Sequence, residues 1–178
     1  MKISTQKIAY IALFAAVNVF LNAFTWTQAG LNYAISLTYI PTFLAGFYFG
    51  PFAGFLVGFI GDVLGCIIWP KGAWIPLITL ASALMGVIPG LVRKIKLDHR
   101  ILLLISYLST YVICSMFLNT LGLWLVYAAT KKTFWVYMVG RLPIQLPVML
   151  INFTINLLTM PFFERFLAPR AKRANAAS

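Results

Sequence analysis

No charged side chain lies between Lys7 and Asp62, and none lies between Arg100 and Lys131. Uncharged stretches of that length belong in lipid. There every backbone N–H and C=O must be paired within the chain, so only helices and closed barrels can span. The residues are 62% hydrophobic and only 10% charged. A spanning helix needs roughly 20 predominantly apolar residues. Segments 8–24, 34–49, 53–69, 74–92, 101–127 and 134–166 fit that description. The last two are long enough to tilt, bend or project past the bilayer. The alternating ten-residue pattern of a membrane barrel is absent. The expectation is an all-α integral membrane protein: one compact bundle of six transmembrane helices over residues 1–178, with no separate soluble domain.

The formal net charge is +11, and its placement argues for topology rather than nucleic acid. The basic groups are Lys2 and Lys7; Arg93, Lys94, Lys96 and Arg100; and Arg165, Arg170, Lys172 and Arg173. Six spans put all three groups on one side, which the positive-inside rule makes cytoplasmic, together with both termini. Contact with anionic lipid explains them there, with docking of cytoplasmic ATPases as a secondary reading. The opposite side carries Lys71, Lys131 and Lys132.

Chemistry-bearing motifs are few. The chain has no GxxxxGK[ST] nucleotide loop and no HExxH. Its single histidine, His99, sits in the basic loop with no nucleophile nearby, and Asp98 and Glu164 fall at the cytoplasmic face. Cys66 and Cys114 lie within apolar segments, where cysteine behaves as a small hydrophobe. These residues point to no catalytic group, no metal site and no cofactor.

Two charges remain inside the apolar segments: Asp62 and Arg141. Ionisable side chains at membrane depth are costly and tend to mark a functional interior. By helical rise, Asp62, Arg141 and Asn119 each lie about 10–12 Å from the outer end of their segment. Gln145 is one turn further in. On the last segment Arg141, Gln145, Asn152 and Asn156 fall within about 60° of one another, although Pro143, Pro147 and Pro161 tend to kink that helix. Gly50, Gly54 and Gly58 recur every fourth residue and lead to Asp62, with Gly61 and Gly65 as a second pair. Such a stripe brings a neighbouring helix close and turns Asp62 toward protein.

Two readings fit this layer. In one, Asp62 and Arg141 form a buried ion pair completed by Asn119. In the other, the layer floors a cavity open to the outside, where Arg141 and Asn119 bind a polar ligand and Asp62 orients Arg141. The outer charges are all cationic. The outer ends carry Trp26, Tyr33, Trp69, Trp74, Trp124, Tyr127, Phe134, Trp135 and Tyr137. Rings stack on rings and cations pair with carboxylates, so a flat heterocycle with an anionic tail suits the site. Aromatic belts also arise at membrane interfaces with no ligand present. Ala12 and Ala16 in the first segment form a small-xxx-small pair that lets another helix approach, inside or outside the bundle.

Three stretches carry a resemblance: ALFAA at 12–16; FGPFAGFLVGFIGDVLG at 49–65; and LNTLGL at 118–123, followed by Tyr127 and by GRLPIQ at 140–145. Together they resemble the substrate-binding S components of energy-coupling factor (ECF) vitamin transporters, most closely the folate type. The resemblance implies six helices with both termini cytoplasmic, in a multi-pass protein of a prokaryotic cell membrane. It implies capture of folate from outside and delivery through a transmembrane coupling protein (the T component) and two cytoplasmic ATPases. Arg141 and Gln145 would then hold polar ligand groups, with Asp62 in the same polar layer, and Asn119 would hydrogen-bond a ring edge. Trp74 and Tyr127 would wall the pocket, and loops at Trp26 and at Trp69 and Lys71 would close it. Ala12 and Ala16 match the docking face for the coupling protein. The chain departs from the folate type at Gly122, where that type usually carries tryptophan; Trp124 lies about 200° further round the helix. Another anionic vitamin such as pantothenate, and a non-transporting membrane scaffold whose polar layer is purely structural, remain alternatives.

Overall fold

The computed structural model describes residues 5–23, 26–28, 33–70, 72–95 and 97–176. Helix α1 (Thr5–Ala23) is followed by the short strands β1 (Trp26–Gln28) and β2 (Tyr33–Ile35), then by α2 (Tyr39–Phe49), α3 (Pro51–Ile68) and α4 (Pro76–Val92). Helix α5 (His99–Thr110) runs through a π-helical segment, Tyr111–Asn119, into α6 (Thr120–Tyr127), and α7 covers Phe134–Ala176. Among the described residues, four helical stretches are long and apolar enough to cross a membrane: Thr5–Ala23, Pro51–Ile68, Arg100–Tyr127 and Phe134–Asn175. Helices α2 and α4 are shorter. Large apolar side chains such as Leu13, Phe20, Ile67 and Leu158 point outward, as lipid-facing residues should.

The second segment differs from its expected form. Its helix begins at Tyr39 rather than at residue 34, because β2 pairs antiparallel with β1, Trp26 opposite Ile35 and Gln28 opposite Tyr33. The chain then turns through Ser36 and Thr38, whose hydroxyls lie 2.7 Å apart while the Thr38 amide donates to Ser36 Oγ. Pro41 sits in the first turn of α2, where its missing N–H costs nothing. At 11 residues, α2 is about 16 Å long by helical rise, too short to span alone. It is buried on every side from Pro41 to Phe49. A helix apolar all round belongs in a core, and Phe43 and Phe47 stack there at 5.3 Å.

Close backbone contacts hold α2, α3 and α4 together. A Cβ added at Gly46 or Gly54 would overlap the Gly86 carbonyl, and one at Gly58 would overlap the Ser82 carbonyl. Gly61 and Gly65 form a second face, on which the side chains of Asn18 and Asn22 rest. Gly50 is not the first rung of that ladder. It joins α2 to α3 at φ +97° with open space around its Cβ position, a backbone conformation that favours glycine.

Helix α7 continues ten residues beyond its expected end. Leu167, Ala171 and Ala174 are buried against the core, and Asn175 Nδ2 donates to the Tyr48 carbonyl at 3.3 Å. Arg93, at the end of α4, caps the same end of α2: it donates to the Phe47 carbonyl at 3.1 Å and lies 4.5 Å from the Phe47 ring centroid. A cation suits the carbonyl end of a helix.

Because Gly86 meets backbone rather than movable side chains, Gly86→Val is expected to destabilise the fold by at least the ~1–3 kcal/mol typical of overpacking. Gly140→Ala, in open space, serves as the control and should change little. Thermal unfolding in detergent reads both.

Candidate ligand-binding site

Helix α3 presents Asp62 to α4. Thr79 Oγ1 donates to Asp62 Oδ2 at 2.6 Å, and Ser82 Oγ donates to Oδ1 at 3.3 Å. Trp74 Nε1 in turn donates to Thr79 Oγ1 at 2.9 Å. Behind this carboxylate lies a cavity lined by Asn18, Thr38, Thr42, Asp62, Ser82 and Met85, among others, with about 20 Å³ open to the centre of a water molecule. That is room for one or two waters. Asn18 closes its far wall by donating to Thr42 Oγ1 at 2.6 Å and to the Thr38 carbonyl at 3.2 Å.

Arg141 belongs to a different group. It is buried, at 5% exposure, and donates through Nη1 to Thr120 Oγ1 at 3.1 Å. Its guanidinium carbon lies 6.0 Å from the Tyr137 ring centroid. The Thr120 hydroxyl donates its own proton to the Ser115 carbonyl in the π-helical segment. Asn119 Oδ1, Gln145 Oε1 and Tyr111 Oη are buried on these same helices with no hydrogen-bond partner among the described residues. Buried polar atoms are usually satisfied, so orphaned atoms on the helices that carry a buried guanidinium give this region capacity for a polar ligand.

An ion pair between Asp62 and Arg141, one of the two readings of the polar layer, does not form among the described residues. The Asp62 carboxylate is taken by Thr79 and Ser82, and α3 does not pack against α7. Asp62 therefore does not orient Arg141; the glycine stripe that lets α4 approach hands the carboxylate to α4 instead. The polar face of α7 also divides. Asn152 donates to the Ser36 and Val148 carbonyls at 3.0 and 2.9 Å, Tyr107 donates to the Asn152 carbonyl at 3.1 Å, and Asn156 Nδ2 donates to Tyr107 Oη. Those two asparagines tie α7 to α5 and to the entrance of α2.

Residues 72–79 bridge the two polar groups. Trp74 and Thr79 connect them to Asp62. The Ala73 amide donates to Tyr127 Oη at 3.3 Å. Ile75 and Ile78 press on Gly122, where an added Cβ would lie 3.2 and 3.4 Å from their side chains. A larger side chain at 122 would need these isoleucines to shift. Trp124 is occupied elsewhere: its Nε1 donates to the Lys132 carbonyl at 2.7 Å, and its ring meets Phe134 edge-on. Trp74 and Tyr127 are 57% and 40% exposed. Trp69 caps α3. Lys71 and the side chain of Trp26 lie outside the described residues. Ala12 and Ala16 are exposed on α1, opposite the buried Ile11, Phe14, Ala15 and Asn18. Among the described residues, no group of three His, Cys, Asp or Glu side chains could hold a metal ion.

Reading the residues alone missed Thr79, Ser82, Thr120 and Tyr111. Thr120 was within reach, since it follows Asn119 directly. Nothing in an apolar aromatic stretch distinguishes Tyr111, and the serine and threonine of α4 look like ordinary small packing residues.

Comparison with known proteins gives a consistent result. A family profile described as the S component of an ECF-type riboflavin transporter matches residues 2–162. The folate transporter FolT of Clostridium novyi (strain NT) is 28% identical over 142 residues, covering 78% of this chain and 80% of that protein. A crystal structure of FolT bound with folic acid superposes with a TM-score of 0.72 at 27% identity, covering 92% of this chain and 95% of that one. The S component of a bacterial ECF transporter superposes at 0.67 with 20% identity, covering 90% and 96%, a likeness of fold alone.

Proposed function

From the premise that the chain belongs to the ECF-type riboflavin transporter S-component family, we propose that it captures folate at the outer face of a prokaryotic cell membrane. The buried Arg141 guanidinium carries this reading, because a guanidinium binds a carboxylate more strongly than it binds a neutral group. The similarity to FolT and to a folate-bound FolT structure supports folate. The family profile names riboflavin, whose ring and sugar chain carry no charge. Pantothenate has a carboxylate but no ring for the aromatic mouth.

In this reading Arg141 and Gln145 hold polar groups of the ligand and Asn119 meets a ring edge. Trp74 and Tyr127 wall the site. The cavity behind Asp62, with room for one or two waters, is not lined by Arg141 and is not the ligand site; in this reading an outer cover closes over the ligand. That cover comprises the hairpin that carries Trp26 and the segment with Trp69 and Lys71. ATP is hydrolysed elsewhere, by two cytoplasmic ATPases joined through a transmembrane coupling protein. The exposed Ala12 and Ala16 face of α1 receives that coupling protein, and the basic clusters face the cytoplasm against anionic lipid.

Titration of the purified protein should show folate binding more tightly than riboflavin or pantothenate. Arg141→Gln should weaken folate by roughly 10- to 100-fold, the scale of one charge-assisted hydrogen bond. Riboflavin as the tightest ligand, or full folate affinity in that variant, contradicts the assignment. For the partner face, Ala16→Trp is expected to abolish ATP-driven uptake in reconstituted vesicles while folate affinity stays within a few-fold. Loss of both together overturns that division of roles.

A further inference from the structure

The Asp62 carboxylate lies at membrane depth, yet it is not used to neutralise Arg141. We propose that Asp62 is a positioning residue for ligand retention: through Thr79 it fixes the Trp74 indole over the outer mouth. The inference rests on the reading that Trp74 walls a folate site.

The argument is one of proton direction. A threonine hydroxyl has a single proton and two lone pairs. Left alone on a helix, the Thr79 hydroxyl would donate to a carbonyl one turn back, as such residues commonly do. Here its proton is committed to Asp62 Oδ2 at 2.6 Å, in the short range of hydroxyl-to-carboxylate bonds. Ser82 holds the other carboxylate oxygen. The rotor is thereby locked, and a lone pair of Thr79 Oγ1 faces the Trp74 indole N–H at 2.9 Å. Thr79 is 2% exposed, whereas Trp74 is 57% exposed, so the relay tethers an outer ring to the bundle interior. The neighbouring Ala73 amide is held by Tyr127 Oη, which ties the same segment to the other proposed wall residue.

The test uses the purified full chain in detergent, with folate as ligand. Thr79→Val and Asp62→Leu should each speed folate dissociation roughly tenfold, the value of about one hydrogen bond. Asp62→Asn keeps an acceptor for Thr79 and should stay within about threefold of the parent chain. Trp74→Phe alters only an exposed ring, so it folds whatever the interior variants do. It should match Thr79→Val, and the double variant should be no faster than either single one. Independently of any ligand, solvent exchange of the Trp74 indole proton, followed by NMR, should quicken in Thr79→Val. Unchanged indole exchange overturns the relay. Faster exchange with unchanged folate dissociation overturns the retention role. A parent chain that binds no folate overturns the substrate reading and the retention role with it, while the indole exchange still decides the relay.

Discussion

The backbone contact between α3 and α4 at Gly54 and Gly86 sets the rest of the structure. Lipid supplies no hydrophobic drive for helices to associate, so close packing and interhelical hydrogen bonds must do so. Glycine at 54, 58 and 86 lets the two backbones meet directly. One turn beyond Gly58, the same face carries Asp62, and the opposing face of α4 offers Ser82 and then Thr79. The carboxylate meets two hydroxyl donors instead of lipid. The stripe that makes the approach possible therefore also determines which groups receive the Asp62 carboxylate.

Helix α7 meets its neighbours more loosely and carries most of the remaining polarity. Its middle is fastened by Asn152 and Asn156, whose bonds reach α5 and the turn before α2. Its N-terminal part brings Arg141 to Thr120 at the end of the π-helical segment. π-Helical turns recur at functional sites. Here the Ser115 carbonyl takes the Thr120 proton, and the threonine oxygen accepts from Arg141. The segment from Gly72 to Thr79 touches two helices, α3 through Asp62 and α6 through Tyr127 and Gly122.

Much of this was legible in the residues. The uncharged stretches and the small-residue stripe predict a helical membrane bundle and an inward-facing Asp62, and both follow from local composition. The one-sided placement of Arg141, Asn152 and Asn156 follows from helical phase, despite four prolines inside α7. What sequence could not convey was pairing between elements. The hairpin depends on β1 meeting β2 across a turn, which shortened α2. Gly50 reads as a packing glycine until the chain is seen to reverse there. Asp62 and Arg141 look complementary by depth alone, yet depth says nothing of azimuth, and α4 stands ready to take the carboxylate. Tyr111 joins the buried polar atoms of this region only once the π-helical segment is traced.

The central claim is that a ligand from outside is held by Arg141 beneath the Trp74 and Tyr127 mouth. A structure of the chain determined with folate bound tests it most directly. The account predicts the ligand within hydrogen-bonding distance of Arg141 and Asn119, its ring beneath Trp74 and Tyr127. Folate lodged instead among Asn18, Thr42 and Ser82, with Arg141 making no contact to it, would contradict it.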